Sequence, residues 1–253
     1  KAEEAPGLDP ETRDIIRAQQ CLLRLRFNPS QAEKREVSRE AARLLENATD
    51  RVLNELITAA HFLAYAHEFE ECERLLHAIS EHASATERTR ERAQLYVAYC
   101  YGKERRYADA HVLLEGLIQN ATSDEVRATA LMEHGLYYYY EGKPAEGVQA
   151  LTRARNMGMS DPLARAKISY HLGNCYFATR QYREAGMAYE EVLALLAPST
   201  PATFGRYAFY TRAAERGHRA YEKAGDLAKA KRCLRLYEAA TVSAPQNGSP
   251  VEG

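Results

Sequence analysis

The chain has 253 residues, enough for one or two compact domains, and its 45% hydrophobic content lets it bury a sizeable core. Lys plus Arg number 34 against 35 Asp plus Glu, a formal charge of −1, which argues against a general nucleic-acid binder because such binding draws on a basic excess. No apolar run of about 18 residues occurs, so no transmembrane helix and no membrane insertion are expected.

The chain begins at Lys1 without Met and is expected to be a piece of a longer protein. Residues 1–8 read as disordered. Asp9-Pro10 with Glu11 and Thr12 is a helix-start signal with proline in the first turn, and it predicts a helix from Asp9 to Phe27. Asn28-Pro29-Ser30 ends that helix and starts another reaching Asn47. Leu22, Leu23, Leu25 and Phe27 cannot all face one way, so the pair over residues 9–48 is expected to pack as an N-terminal cap on the first full repeat.

From residue 49 to 240 a pattern recurs. Phe69-Glu70-Glu71-Cys72 leads to Leu76, Tyr107-Ala108-Asp109-Ala110 to Leu114, and Pro144-Ala145-Glu146-Gly147 to Leu151. Tyr182-Arg183-Glu184-Ala185 leads to Tyr189, and Leu227-Ala228-Lys229-Ala230 to Leu234. The small residues at 72, 110, 147 and 185 are 38, 37 and 38 positions apart; the last step, to 230, is 45, its excess lying in Pro198-Ser199-Thr200-Pro201. A second helical stretch precedes each pattern: Leu172-Gly173 with Tyr176 is matched by His134-Gly135 with Tyr138, Val97-Ala98 with Tyr101, and Ala59-Ala60 with Leu63. The unit is therefore two antiparallel helices joined by a tight turn, with small residues where the helices cross. Five such units are expected, at about 52–86, 90–122, 127–160, 165–198 and 205–240, succeeded by a disordered tail over 241–253.

These residues resemble the tetratricopeptide repeat (TPR) family. The repeat around 166–198 carries Leu172, Gly173, Tyr176, Ala185, Tyr189 and Pro198 in the family's order, whereas the last has His218 where the small residue belongs. The period of 37 to 38 exceeds the family's usual 34 and is similar to the longer repeats of large bacterial signal-responsive transcriptional activators. The resemblance implies an all-α, right-handed superhelical solenoid of about five repeats plus the N-terminal cap.

No phosphate-binding glycine loop, dinucleotide fingerprint or H-E-x-x-H is present, so no enzymatic activity and no cofactor are expected. The five cysteines (21, 72, 100, 175 and 233) form no C-x-x-C pair, and His61, His67, His77 and His82 have no standard ligand spacing, so neither a disulfide framework nor a metal site is expected. The cysteines read as small buried hydrophobes in a reducing compartment, and a cytoplasmic location is expected. Asn47-Ala48-Thr49 and Asn120-Ala121-Thr122 match the glycosylation sequon but fall at helix ends, as caps and turns.

The resemblance further implies that the first helix of each pair lines a concave groove. Projecting one stripe gives Asn54, Ile57, His61 and Tyr65, then Arg92, Leu95, Tyr99 and Lys103. It continues through Thr129, Met132, Leu136, Tyr139 and Tyr140, then Lys167, Tyr170, Asn174 and Phe177, and ends at Arg212, Glu215, Arg219 and Lys223. The groove is expected to be aromatic in its middle and basic toward its end, suited to a peptide or helix of another protein. Tyr65, Arg92, Tyr99, Lys103, Tyr139, Tyr140, Tyr170, Asn174, Phe177, Arg212 and Arg219 are the expected contacts. Some family members grip a C-terminal carboxylate with Lys, Asn and Arg; Asn174 stands at such a position, but the accompanying Lys and second Asn do not. The expected function is a non-enzymatic adaptor or scaffold. The alternatives are a sensory or self-associating domain of a larger bacterial regulator, and nucleic-acid binding through the basic stretch Arg206 to Tyr237.

Overall fold

The computed structural model describes residues 8–25, 29–197 and 204–242. Phe27, Pro198 and most of the expected disordered ends (1–7 and 243–253) lie outside these residues, whereas Thr241 and Val242, expected in the tail, close the last helix. Twelve α-helices and no strand occur among the described residues. In chain order they are α1 (Pro10–Leu25), α2 (Gln31–Leu45), α3 (Asp50–Tyr65), α4 (Phe69–Glu81), α5 (Glu87–Lys103) and α6 (Tyr107–Asn120). They continue with α7 (Asp124–Tyr140), α8 (Pro144–Asn156), α9 (Pro162–Ala178), α10 (Tyr182–Leu195), α11 (Phe204–Lys223) and α12 (Leu227–Val242). None of these helices is long and apolar enough to cross a membrane. The chain divides into two compact units, residues 1–133 and 134–253, the division falling within α7.

In the first unit, α1 packs on α2 and α3, and α4 packs on α3 and α5. The pair expected as a cap therefore shares its apolar interior: Ala18, Cys21 and Leu25 of α1 and Val37, Ala41 and Leu44 of α2 are buried with Leu53, Leu56 and Leu76. Ser30 starts α2 with a capping box, its hydroxyl facing the Glu33 N–H while the Glu33 carboxylate accepts from the Ser30 N–H at 2.7 Å. Successive hairpins are tied at their joints. The Asp50 carboxylate accepts the Thr86 N–H at 2.7 Å ahead of α5, and Glu91 accepts the Thr122 N–H ahead of α7.

In the second unit, α8, α9, α10, α11 and α12 pack in succession. Its core joins Ala166, Tyr170, Ala185, Tyr189 and Val192 to Ala213, Ala214, Tyr221 and Cys233. Missing side chains permit close approach at Gly135, Gly147, Gly173 and Gly186, and at the last two the neighbour is an aromatic ring. The face of Gly173 receives the Tyr189 ring, whose Cε1 would stand 2.6 Å from an added Cβ, and Gly186 receives the Tyr221 ring in the same way. His218 takes the place of a small residue because its ring nitrogen Nδ1 faces the Ala230 carbonyl at 3.1 Å and the neighbouring Gly217 makes room for Cys233.

Among the described residues, the corners of the five repeat hairpins from α3 to α12 close in one way. His67, Arg105, Gly142, Arg180 and Gly225 have φ between 60° and 79°, in the left-handed region. Around each, the next residue's N–H reaches back to the first helix: Glu68 to Leu63 (2.9 Å), Arg106 to Tyr101 (2.8 Å), Lys143 to Tyr138 (2.8 Å), Gln181 to Tyr176 (2.8 Å) and Asp226 to Tyr221 (2.9 Å). The left-handed residue's own N–H bonds the carbonyl three before it, completing a Schellman motif.

Two outcomes are expected in denaturant unfolding. Gly173→Ala lowers stability by roughly 1–3 kcal/mol, because Tyr189 is buried and cannot swing aside. Arg180→Gly raises it by about 1 kcal/mol, since glycine carries no penalty at a positive φ. Equal midpoints for wild type and Gly173→Ala would contradict the ring-on-glycine packing.

Candidate functional site

The first helices present stripes of side chains, but the register differs from the projected one by a single position. Of the residues three before each crossing position, Ile57, Met132 and Tyr170 are buried, while Leu95 and Glu215 are half-buried. The residues two before it, Tyr96, His171 and Arg216, complete the partly exposed stripe instead. On α5 that stripe is Arg92, Tyr96, Tyr99 and Lys103, and on α11 it is Arg212, Arg216, Arg219 and Lys223. Both have a spacing of four, three and four, which fits a helical face as well as the projected spacing does.

In the first unit, α3 and α5 bring an aromatic group together. The His61 ring lies 4.7 Å from that of Tyr65, 4.8 Å from Tyr96 and 4.9 Å from Tyr99. The Lys103 ammonium sits 5.7 Å from the Tyr65 ring centre and 5.2 Å from that of Tyr99, a shared cation–π contact. Tyr65 remains 52% exposed. Arg92 is engaged internally: it donates to Asn54 Oδ1, while the Asn54 amide donates to Thr89 Oγ1 at 2.9 Å and to the Asp50 carbonyl at 2.8 Å.

In the second unit, α9 and α11 carry a basic face. Tyr170 and Asn174, expected as contacts, are only 6% and 7% exposed, so the structure places them beneath the surface. There they act as a seat. Asn174 Oδ1 accepts from the Tyr189 hydroxyl at 2.8 Å and from the Arg216 guanidinium at 2.7 Å, and Arg216 lies 5.4 Å from the Tyr170 ring centre. The Tyr170 ring is itself wedged edge-on against Phe209 (5.4 Å) and Tyr189 (5.8 Å). Arg216 is thereby held by neutral partners. Among the described residues, neither it nor Lys167 nor Arg212 has a carboxylate within ion-pair distance, whereas Arg219 is paired with Glu215 at 2.8 Å. Phe177 packs edge-on against Tyr182 at 5.2 Å, and Tyr139 stacks obliquely on Tyr140 at 5.7 Å, leaving Tyr140 56% exposed.

The positive field registers on His171, which stands between Lys167 and Arg216. Burial first, then those two cations, push its imidazole down to about 4. Its Nδ1 is buried without a hydrogen-bond partner among the described residues. Among those residues no three His, Cys, Asp or Glu side chains converge to hold a metal.

An imidazole whose folded pKa is depressed holds its proton more weakly folded than unfolded. Its contribution is therefore complete above pH ~6.5 and is lost as the pH falls from there toward 4. Wild type is expected to lose on the order of 2 kcal/mol more than His171→Asn between pH 7 and pH 4, read from urea unfolding at each pH. Parallel curves for the two proteins would contradict a neutral, cation-flanked His171.

No family model matches the chain, and no curated protein sequence matches it. Solved structures do. BtubC (BKLC) from P. vanneervenii superposes with a TM-score of 0.60 at 16% identity, covering 97% of this chain and 98% of that one. A Podosopora anserina putative kinesin light chain of nearly identical TPR-like repeats gives 0.57 at 20% identity over 82% of this chain and 99% of that one. Pseudomonas aeruginosa pilF gives 0.58 at 14% identity, covering 93% of this chain and 100% of that one. At such identities the likeness is one of architecture, and with the repeating hairpins, the Schellman corners and the small-residue crossings it leads to one conclusion: the chain has the all-α, TPR-like helical-repeat fold.

Proposed function

We propose that this chain is a non-enzymatic protein-interaction module, an adaptor or scaffold whose second unit takes an acidic segment of a partner protein on the α9–α11 face. One observation carries the reading. Lys167, Arg212 and Arg216 share this face without carboxylate partners among the described residues, and Arg216 is oriented by Asn174 and Tyr170, which cannot satisfy its charge. A cation held in place by neutral groups is ready to pair with an incoming carboxylate at little ordering cost. Tyr139, near enough to act on Arg216, adds apolar area of low conformational entropy, and the half-buried Phe177 lies one turn along α9 from Asn174. In this reading Arg212, Arg216 and Lys167 are direct contacts, and Tyr170 and Asn174 position them.

The same face serves the alternative of a sensory or self-associating domain within a larger bacterial regulator, with an acidic segment of a sister domain as occupant. The basic stretch from Arg206 to Tyr237 is less available to a nucleic acid than its composition implies. Lys229 (3.3 Å) and Arg232 (4.0 Å) are turned to Glu190, and Arg219 to Glu215. The cytoplasmic location remains part of this proposal.

The test is fluorescence anisotropy with a labelled Asp/Glu-rich peptide, its Lys-rich counterpart and a single-stranded oligonucleotide. Selective binding of the acidic peptide is expected, weakened roughly tenfold or more by Arg212→Glu with Arg216→Glu and unaffected by Tyr65→Ala. Equal binding of both peptides would overturn the reading, and tighter binding of the oligonucleotide would transfer it to nucleic acid.

A further inference from the structure

Cys72 and Cys100 lie 28 residues apart, on α4 and α5 of neighbouring hairpins in the first unit, and their sulfurs meet at 2.9 Å. Both side chains are free thiols, 0% and 1% exposed. Cys72 stands at the small-residue crossing position of its hairpin, where the second helix meets the first helix of the next. At the corresponding crossing in the second unit, Gly147 faces Cys175, the added Cβ lying 2.9 Å from the sulfur. That crossing thus pairs a thiol with an inert residue, whereas α4 and α5 place two thiols against each other. The other cysteines are buried elsewhere.

We infer that Cys72 and Cys100 are an oxidation site: a dithiol that closes into an intramolecular disulfide and staples the α3–α4 hairpin to the α5–α6 hairpin. A disulfide requires sulfurs at about 2.05 Å and the two Cβ atoms about 3.8 Å apart, and the two helices are already packed with the sulfurs facing. The oxidant is a small disulfide such as glutathione disulfide. One cysteine, having lost its proton to solvent, attacks a glutathione sulfur and expels one glutathione thiolate. The second cysteine, likewise deprotonated, attacks the protein sulfur of the mixed disulfide and expels the other. Two protein thiols become one disulfide, and glutathione disulfide is reduced to two glutathione thiols.

The contact with Cys100 and burial push the Cys72 thiol up, so the closed, reduced pair resists attack. Reaction awaits separation of α4 from α5, and re-packing then brings the second sulfur onto the mixed disulfide. The staple would hold in place α5, which carries Arg92, Tyr96, Tyr99 and Lys103.

The whole chain is denatured, then refolded to equilibrium in a buffer of reduced and oxidised glutathione, which removes burial as a kinetic barrier. The intact mass is expected to fall by two hydrogens, a proteolytic digest to yield a linked peptide pair containing Cys72 and Cys100, and Tm to rise by roughly 5–10 °C over the reduced chain. Cys72→Ala and Cys100→Ala are each expected to abolish the linked pair and the Tm rise. Five free thiols at equilibrium, stable glutathione adducts, or a linkage through Cys21, Cys175 or Cys233 would each overturn the assignment; the peptide map of the unaltered chain decides it even if a variant folds poorly.

Discussion

Two aromatic rings resting on two glycines set the spacing of the second unit. Tyr189 lies on Gly173 of α9, and Tyr221 of α11 lies on Gly186 of α10, each at a distance that excludes any side chain at the glycine. Much else hangs on the first of these rings. Pinned in place, Tyr189 directs its hydroxyl into Asn174, which fixes the asparagine oxygen, which in turn accepts from Arg216. Burial holds the Tyr189 phenol well above its ordinary value, so it remains a neutral donor at any physiological pH. A packing contact between two helices is thereby converted into the orientation of a surface cation on a third.

The two units use their polar residues differently. In the first, Arg92, Asn54, Thr89 and Asp50 satisfy one another, and Lys103 is absorbed between two tyrosine rings, so that face shows mainly aromatic edges. Burial by itself would raise the Asp50 carboxyl, but the Thr86 N–H and the hydroxyls of Thr89 and Thr86 outweigh it and hold the group below its usual range. In the second unit the seat beneath Arg216 contains no charge, and the neighbouring His171 is depressed chiefly by its own burial, with Lys167 and then Arg216 adding to the effect.

The hairpin corners, the small crossing residues and the all-helical class were legible in the sequence, because each is a local demand that recurs at a fixed period. Less legible was which side of the first helices faces outward. Tyr170 and Arg216 each fit a helical stripe, and three- and four-residue steps both fall on one face. Packing decided between them: position 170 points into Phe209 and Tyr189, while position 216 reaches the surface. The burial of Asn174 was hidden for a similar reason, since its partners lie 15 and 42 residues away. No local pattern marks Cys72 and Cys100 as neighbours either; only the alignment of one hairpin's crossing with the next brings them into one place. His218 looked like a departure from the repeat, yet the glycine beside it restores the space that its own bulk removes.

The five corners share a further property: each closes on the same pair of main-chain hydrogen bonds around its left-handed position, to which local side chains such as Thr179 and Gln181 only add. A corner built on that pair makes little demand on the identity of its neighbours, and histidine, arginine and glycine all serve at its centre. A two-helix segment can therefore be copied or removed as a cassette without redesigning its hinge, and the requirement passes to the crossing residues that meet the next segment. Gene duplication with later drift at those crossings is a sufficient route to a chain whose corners stay alike while its faces diverge.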